Sequence, residues 1–271
     1  MYTISGTLRK EGDSMKDTRQ SDRNQFVVKS NDLIQKSRYS FNLEAQRIIL
    51  FAISKIKPQD TSDEWYEFSI TDICHACGIT DNSGANYIMI KNYLKELRDK
   101  SWYIDMPDGT STTVSWLDKV KINQGSGTVQ VRFDEDMSNY LFDLRRRYTQ
   151  YKLDTVLCFK SKYSIRLYEL MKSYLMQDTF SRMDEKDIEF SVDEIRKRLD
   201  AETYNRFADF KRKVIAPAIR EINRFSDDLS VAYEEIRNGK KIEKIVFILT
   251  RPRIRVSLNN QQNKRETLNK K

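Results

Sequence analysis

The sequence predicts an α+β fold in which one plan is used twice, and three observations carry that expectation. Glu67-Phe68-Ser69-Ile70-Thr71-Asp72-Ile73 recurs as Glu189-Phe190-Ser191-Val192-Asp193-Glu194-Ile195. Each copy is followed by a longer amphipathic stretch, closing on Leu94-Lys95-Glu96-Leu97 in the first and Ile219-Arg220-Glu221-Ile222 in the second. A β-rich stretch with glycine turns then follows in both. The order strand, capped short helix, longer helix, β-hairpin is the winged-helix plan. The predicted architecture is two tandem winged-helix domains related by pseudo-two-fold symmetry. A flexible N-terminal arm (1–25) and a basic C-terminal tail (253–271) flank domains at 26–144 and 145–252.

Taken in chain order, residues 1–25 are polar with almost no apolar periodicity, and either Met1 or Met15 could be the start. Phe26-Val27-Val28-Lys29 reads as a short strand. Leu43, Gln46, Ile49/Leu50, Ile53 and Ile56 fall at helical spacing after Asn42, a suitable N-cap, and Pro58 is expected to end that helix. Ser69-x-x-Asp72 and Ser191-x-x-Glu194 match an N-terminal capping signature. A helix over 86–100 should bury Tyr87, Ile90, Leu94 and Leu97. Strands are expected at Trp102–Asp105, Thr112–Lys121 and Val129–Phe133, with turns at Pro107-Asp108-Gly109 and Gly125-Ser126-Gly127. A bridging helix at Asp134–Leu144, Arg145-Arg146-Arg147 at the junction and a helix over Ser161–Met176 precede the second copy. A helix of about 20 residues, Asn205–Phe225, and strands Leu229–Ile236 and Ile242–Thr250 around Asn238-Gly239 complete it.

Composition narrows the function. The chain has 271 residues, 39% hydrophobic and 32% charged, and a net charge of +8, which favours a polyanionic partner. No apolar run approaches a membrane span, and the polar start lacks a signal-peptide core, so a cytoplasmic protein with no membrane partner is expected. Three cysteines make no disulfide framework, which fits a reducing compartment. Cys74-His75-Ala76-Cys77 lacks the further ligands a zinc site needs, since one other cysteine and no second histidine exist. Gly125-Ser126-Gly127 lacks the lysine and helix of a nucleotide loop. No cofactor, metal or catalytic group is expected, and an enzyme is disfavoured.

Double-stranded DNA is the expected partner. On the 205–225 helix, Phe207, Phe210, Val214, Ala218, Ile222 and Phe225 form an apolar stripe. The opposite face collects Asn205, Arg206, Asp209, Arg212 and Lys213, the candidate base-reading set, with Ala216 permitting close approach. Arg and Asn make bidentate contacts with base edges, Lys neutralises phosphates, and Asp accepts from cytosine or orients an Arg. In isolation such a face is ordinarily a solvated surface; its position as third helix of the plan favours a major groove. Pro217 removes the bond to the Lys213 carbonyl and should kink the helix. Arg220, the hairpin-tip residues Arg237, Lys240 and Lys241, and Lys160 and Lys162 are candidate backbone contacts. Lys91, Lys95 and Arg98 on the first-half helix join them.

Four stretches resemble the iteron-binding plasmid replication initiators, the Rep_3 or RepB/RepE-like family. They are Val28–Ile34, Phe41–Leu50, Lys160–Leu170 and Phe210–Asn223, in that order. The resemblance implies two winged-helix domains, the second reading direct repeats at the origin. The first touches backbone and supplies a dimer interface, with homodimer and monomer in equilibrium. It further implies that monomers initiate, that dimers repress the protein's own gene, and that host DnaA and the replicative helicase are recruited. A transcriptional repressor with no replication role is the alternative. A third reading is a strand-transfer enzyme using one of the 14 tyrosines.

Overall fold

One serine in each half caps the short helix of the plan. In the computed structural model, which describes residues 25–79, 84–105, 109–175 and 185–252, Ser69 caps Ile70–Cys77 by accepting from the Asp72 N–H. The Asp72 carboxylate accepts in return from the Ser69 N–H at 3.2 Å. Ser191 caps Val192–Arg198 through the Glu194 N–H at 3.1 Å, but the Glu194 carboxylate accepts from Arg198 at 2.7 Å instead. The residues around each serine are buried alike: Phe68 and Phe190, Ile73 and Ile195, Leu97 and Ile222.

The first half runs β1 (Phe26–Ser30), α1 (Asn31–Lys36), α2 (Leu43–Ile53), β2 (Tyr66–Ser69), α3 (Ile70–Cys77) and α4 (Gly84–Asp99). It continues through β3 (Ser101–Asp105), β4 (Ser111–Ser115), β5 (Leu117–Asn123) and β6 (Thr128–Phe133). A 3-10 turn (Glu135–Met137), α5 (Ser138–Leu141), β7 (Tyr148–Lys152) and α6 (Leu153–Leu157) lead into the second half. That half is α7 (Lys162–Leu175), β8 (Glu185–Ser191), α8 (Val192–Arg198), α9 (Phe207–Phe210), a π-turn (Lys211–Ile215), α10 (Ala216–Phe225), β9 (Ser230–Asn238) and β10 (Lys241–Thr250). The sheets β2-β6-β5 and β8-β10-β9 are antiparallel, and in each the strand before the capped helix pairs with the last strand of the wing. The repeated glutamate braces that pairing: Glu67 accepts from Gln130 at 2.6 Å, and Glu189 from Lys244 at 2.7 Å. Both halves are therefore winged helices, as the repeat implies. Among the described residues no helix is long and apolar enough to cross a membrane.

Several elements depart from expectation. The arm up to residue 24, Met15, the tail 253–271 and residues 107–108 of one turn lie outside the described residues. Asn42 caps α2 through the Ala45 N–H at 2.8 Å, but the helix stops at Ile53, ahead of Pro58. Its end is taken by Ser54, whose hydroxyl donates back to the Phe51 carbonyl at 2.7 Å. The expected strand over Thr112–Lys121 is two strands in different sheets, because Trp116 turns inward at the corner and is fully buried. In α4, Asn86 is buried and Tyr87 is half-exposed. The wing loop is Gly239-Lys240, with Asn238 paired to Lys241. Gly239 has φ +58, the positive angle that a two-residue hairpin loop reserves for glycine at its first position.

β7 pairs antiparallel with β1, so pairing crosses the division drawn at 144/145. Beneath this two-stranded sheet lies α7, a helix buried on nearly every side, including Arg166, Glu169 and Lys172. Glu169 forms an ion pair with Lys29 of β1, both side chains at most 1% exposed, and accepts from the Tyr151 hydroxyl of β7. Arg166 lies 3.5 Å from the same carboxylate and donates to the Tyr39 hydroxyl at 2.8 Å and the Ser37 carbonyl at 3.2 Å. Burial and the adjacent Glu169 charge push the Tyr151 hydroxyl well above its ordinary pKa, so it stays protonated and donating. Nearby, Asn31 donates to the Ser173 carbonyl at 3.4 Å and accepts from Thr149 at 2.7 Å. α7 also packs against α10. One buried polar cluster thus joins β1 to the helix that carries the second winged helix.

Removing one member of a buried ion pair leaves an uncompensated charge and costs ~3–5 kcal/mol. Glu169→Leu is expected to lower the unfolding free energy by about that amount, read as an earlier urea midpoint, with Lys29→Met in the same chain restoring part of the loss. An unchanged midpoint for Glu169→Leu would contradict the role given to this pair.

Candidate nucleic-acid interface

Asn205 and Arg206 lie ahead of the helix, not on it: α9 begins at Phe207 and Arg206 occupies its N-cap position. Both side chains are exposed. They are held in place from α8, where the Arg196 guanidinium donates to the Asn205 carbonyl at 3.0 Å and sits 5.3 Å from the Phe210 ring. The Arg196 side chain is only 14% exposed and also pairs with Asp193 at 3.2 Å. Arg196 is a positioning residue that sequence reasoning missed. The sequence does not single it out, because an Asp three residues before it has the spacing of an ordinary solvated pair.

One turn further on, Arg212 and Asp209 pair at 2.9 Å, and the Arg212 hydrogen bond holds the Asp209 carboxyl below the usual carboxylate range. Arg212 keeps 70% of its side chain exposed, so the pair aims the guanidinium without covering it. Lys213 is exposed with its ammonium 5.5 Å from the Tyr204 ring. Lys211 turns the other way and pairs with Glu235 on β9 at 2.6 Å, a bond that raises its pKa and ties the helix to the wing. Arg206, Arg212 and Lys213 thus form a cationic surface with Asn205 beside them, and Phe210, Val214, Ile215 and Ala218 lie buried beneath.

The kink expected at Pro217 takes another form. The Ala216 N–H reaches back to the Lys211 carbonyl, one residue further than in an α-helix, and Pro217 stands in the first turn of α10. A missing N–H costs little in a first turn. At the proline the helix carries a π-turn, in which one backbone bond spans five residues. Arg220 is exposed on α10.

Beside this helix the β9–β10 hairpin carries Arg237, Lys240 and Lys241, all exposed, with Arg237 3.9 Å from Glu235. The other candidates are less available. Lys162 is half-buried and paired with Asp200 at 2.6 Å, and Asp200 also accepts from Ser40 of the first half at 2.6 Å. Lys160 is exposed, and its backbone N–H donates to Glu221 at 3.0 Å. On α4, Lys91 is exposed, but Lys95 and Arg98 both pair with Asp99, at 2.8 and 3.1 Å, and Arg98 also donates to the Asp118 carbonyl at 3.1 Å. The Lys95 hydrogen bond lowers the Asp99 carboxyl. Cys74 and Cys77 are buried while His75 and Cys158 are exposed, and among the described residues no three or more His, Cys, Asp or Glu side chains come together as metal ligands. Burial pushes the Cys77 thiol up to about 12.

Residues 26–172 match the family model described as Initiator Replication protein, WH1, and residues 191–249 match Initiator Rep protein, WH2. A replication initiation protein of Escherichia coli is 24% identical over 227 residues, covering 82% of this chain and 68% of that protein. Among solved structures, the Pi initiator protein in complex with iteron DNA is similar in fold with a TM-score of 0.66 at 18% identity, covering 84% of this chain and 98% of that one. The first winged helix alone matches over more than half of the sequence and the second follows in order, so the chain belongs to the replication initiator protein family built on a WH1–WH2 pair.

Proposed function

We propose that this chain initiates plasmid replication by binding direct repeats, iterons, in double-stranded origin DNA, the second winged helix reading base edges in the major groove. The observation that carries this reading is the exposed set Asn205, Arg206, Arg212 and Lys213 at the head of a helix whose position is fixed by Arg196 and Lys211. Arg212, already oriented by Asp209, is suited to a guanine edge, and Asn205 to an adenine edge. Lys213 and the hairpin residues Arg237, Lys240 and Lys241 supply phosphate contacts. The solved neighbour is held on iteron DNA and the Escherichia coli relative is a replication initiation protein, which supports a repeat at an origin as the ligand.

The first winged helix, whose Lys95 and Arg98 are engaged with Asp99, takes docking, backbone contact and pairing of two copies in this reading. Monomers initiate and dimers repress the chain's own gene, with host DnaA and the replicative helicase recruited afterwards. The function is non-enzymatic and carried out in the cytoplasm, without metal or cofactor.

Replacing Arg206 or Arg212 with Ala is expected to cost about 1–3 kcal/mol each on a specific repeat and to relax discrimination at one base position. Equal affinities of variant and wild type in a binding titration would remove that residue from base reading. Replacing Lys240 and Lys241 together should weaken binding to all duplexes alike and reduce the slope of log affinity against log salt by about 2. An unchanged slope would take the wing off the contact surface.

A further inference from the structure

The long helix buries more positions than an α-helix can place on one face. Phe210 and Ile219 are 0% and 7% exposed, yet in an uninterrupted α-helix they stand about 180° apart. The π-turn at Lys211–Ile215 takes in one extra residue and rotates the two ends of the helix against each other by about 100°, which brings Phe210 and Ile219 within about 80°. The outer face turns by the same amount. Asp209 and Arg220, about 20° apart in a continuous helix, become separated by about 80°.

Pro217 excludes the continuous alternative. In α register its ring meets the Lys213 carbonyl and its nitrogen has no hydrogen to give. The C-terminal body of the helix cannot rotate to compensate. Ala218, Ile219 and Ile222 are buried, and Asn223 is bonded to both backbone groups of Val231 on β9, at 2.7 and 2.8 Å. A change of register would therefore be taken up by the head, where Asp209, Arg212 and Lys213 lie, at the cost of the burial of Phe210 and Ile215 and of the Lys211–Glu235 pair.

We propose that Pro217, through the π-turn it maintains, is a specificity-determining positioning residue: it sets the angle at which Asp209, Arg212 and Lys213 face the groove relative to the packed body of the helix. This rests on the reading of that face as the base-reading surface. Pro217 itself touches no base. Its removal permits the uninterrupted register, in which Phe210 and Ile219 stand on opposite sides of the helix and the basic head is turned away from its present angle.

The test is selection of bound sequences from a random duplex pool by the full chain, wild type against Pro217→Ala, with thermal melting and affinity for an unrelated duplex measured alongside. Pro217→Ala is expected to stay folded, with a melting midpoint lowered by the burial that the turned head gives up, and to bind the unrelated duplex within about twofold. Its preference for the wild-type site should fall by about tenfold or more, the worth of one bidentate base contact, and the selected sequence should change at the position affected by Arg212→Ala. Pro217→Ser, which also restores the N–H, serves as second variant if the alanine packs poorly. An unchanged selected sequence and preference in a folded variant would overturn the proposal alone. Failure of both variants to fold would overturn it too, because the ring would then hold the fold and not the angle. A wild type that selects no sequence would remove the base-reading surface and this proposal with it.

Discussion

Glu169 lies wholly inside the protein and meets Lys29 from β1, Arg166 from its own helix and the Tyr151 hydroxyl from β7. Taking these charges out of water costs several kcal/mol per ion, and their mutual attraction repays it only when every partner is in place. The cluster therefore contributes a defined arrangement more than net stability. α7 has one position in which its three buried charges are matched, and that position sets where α10 packs. The orientation of the second winged helix relative to the first follows from it. Outside the core, Ser40, Lys162 and Asp200 join the same two halves, and Arg198 of α8 donates to the Gln35 carbonyl just before the end of α1.

The two winged helices repeat a scaffold but not a surface. In both, a serine caps the short helix, a phenylalanine anchors the preceding strand, and a glutamate braces that strand to the last strand of the wing. The exposed faces of the third helices differ. On α4 the cations Lys95 and Arg98 converge on Asp99, so much of their charge is neutralised within the helix. On α9 and the π-turn, one aspartate is matched against Arg206, Arg212 and Lys213, and a net positive surface remains beside a wing of like charge. That asymmetry favours phosphate and base contact at the second domain.

Much of this was legible in the sequence because it is local. Capping serines, alternation in the wings and the stripe Phe210, Val214, Ala218, Ile222 follow from spacing alone. What escaped was long-range. β7, Tyr148–Lys152, has as its partner a strand near the start of the chain, and nothing in its own five residues marks it as paired. Nothing in the sequence singles out Lys29, Arg166 and Glu169 as buried, since residues of these types are rarely buried unless matched, and the match is visible only in three dimensions. The pairing of Lys162 with Asp200, 38 residues away, is likewise invisible in the local pattern. At Pro217 the local rule foresaw a disruption but not its form. The ring disfavours the α register, and the π-turn that takes its place buries Ile215 and Ile219 on the same side as Phe210, an arrangement visible only in the packed structure.

The central claim is that base reading by the second winged helix starts replication. Its most direct measurement is autonomous maintenance of a plasmid whose only replication functions are this gene and its flanking repeats. The wild-type gene is compared with an Arg206→Ala/Arg212→Ala variant that accumulates to the same level. Stable inheritance with the wild type and loss of the plasmid with the variant is the expected result. Equal maintenance by the variant would contradict base reading as the initiating step, and a wild type that represses its own gene but cannot maintain the plasmid would contradict initiation itself.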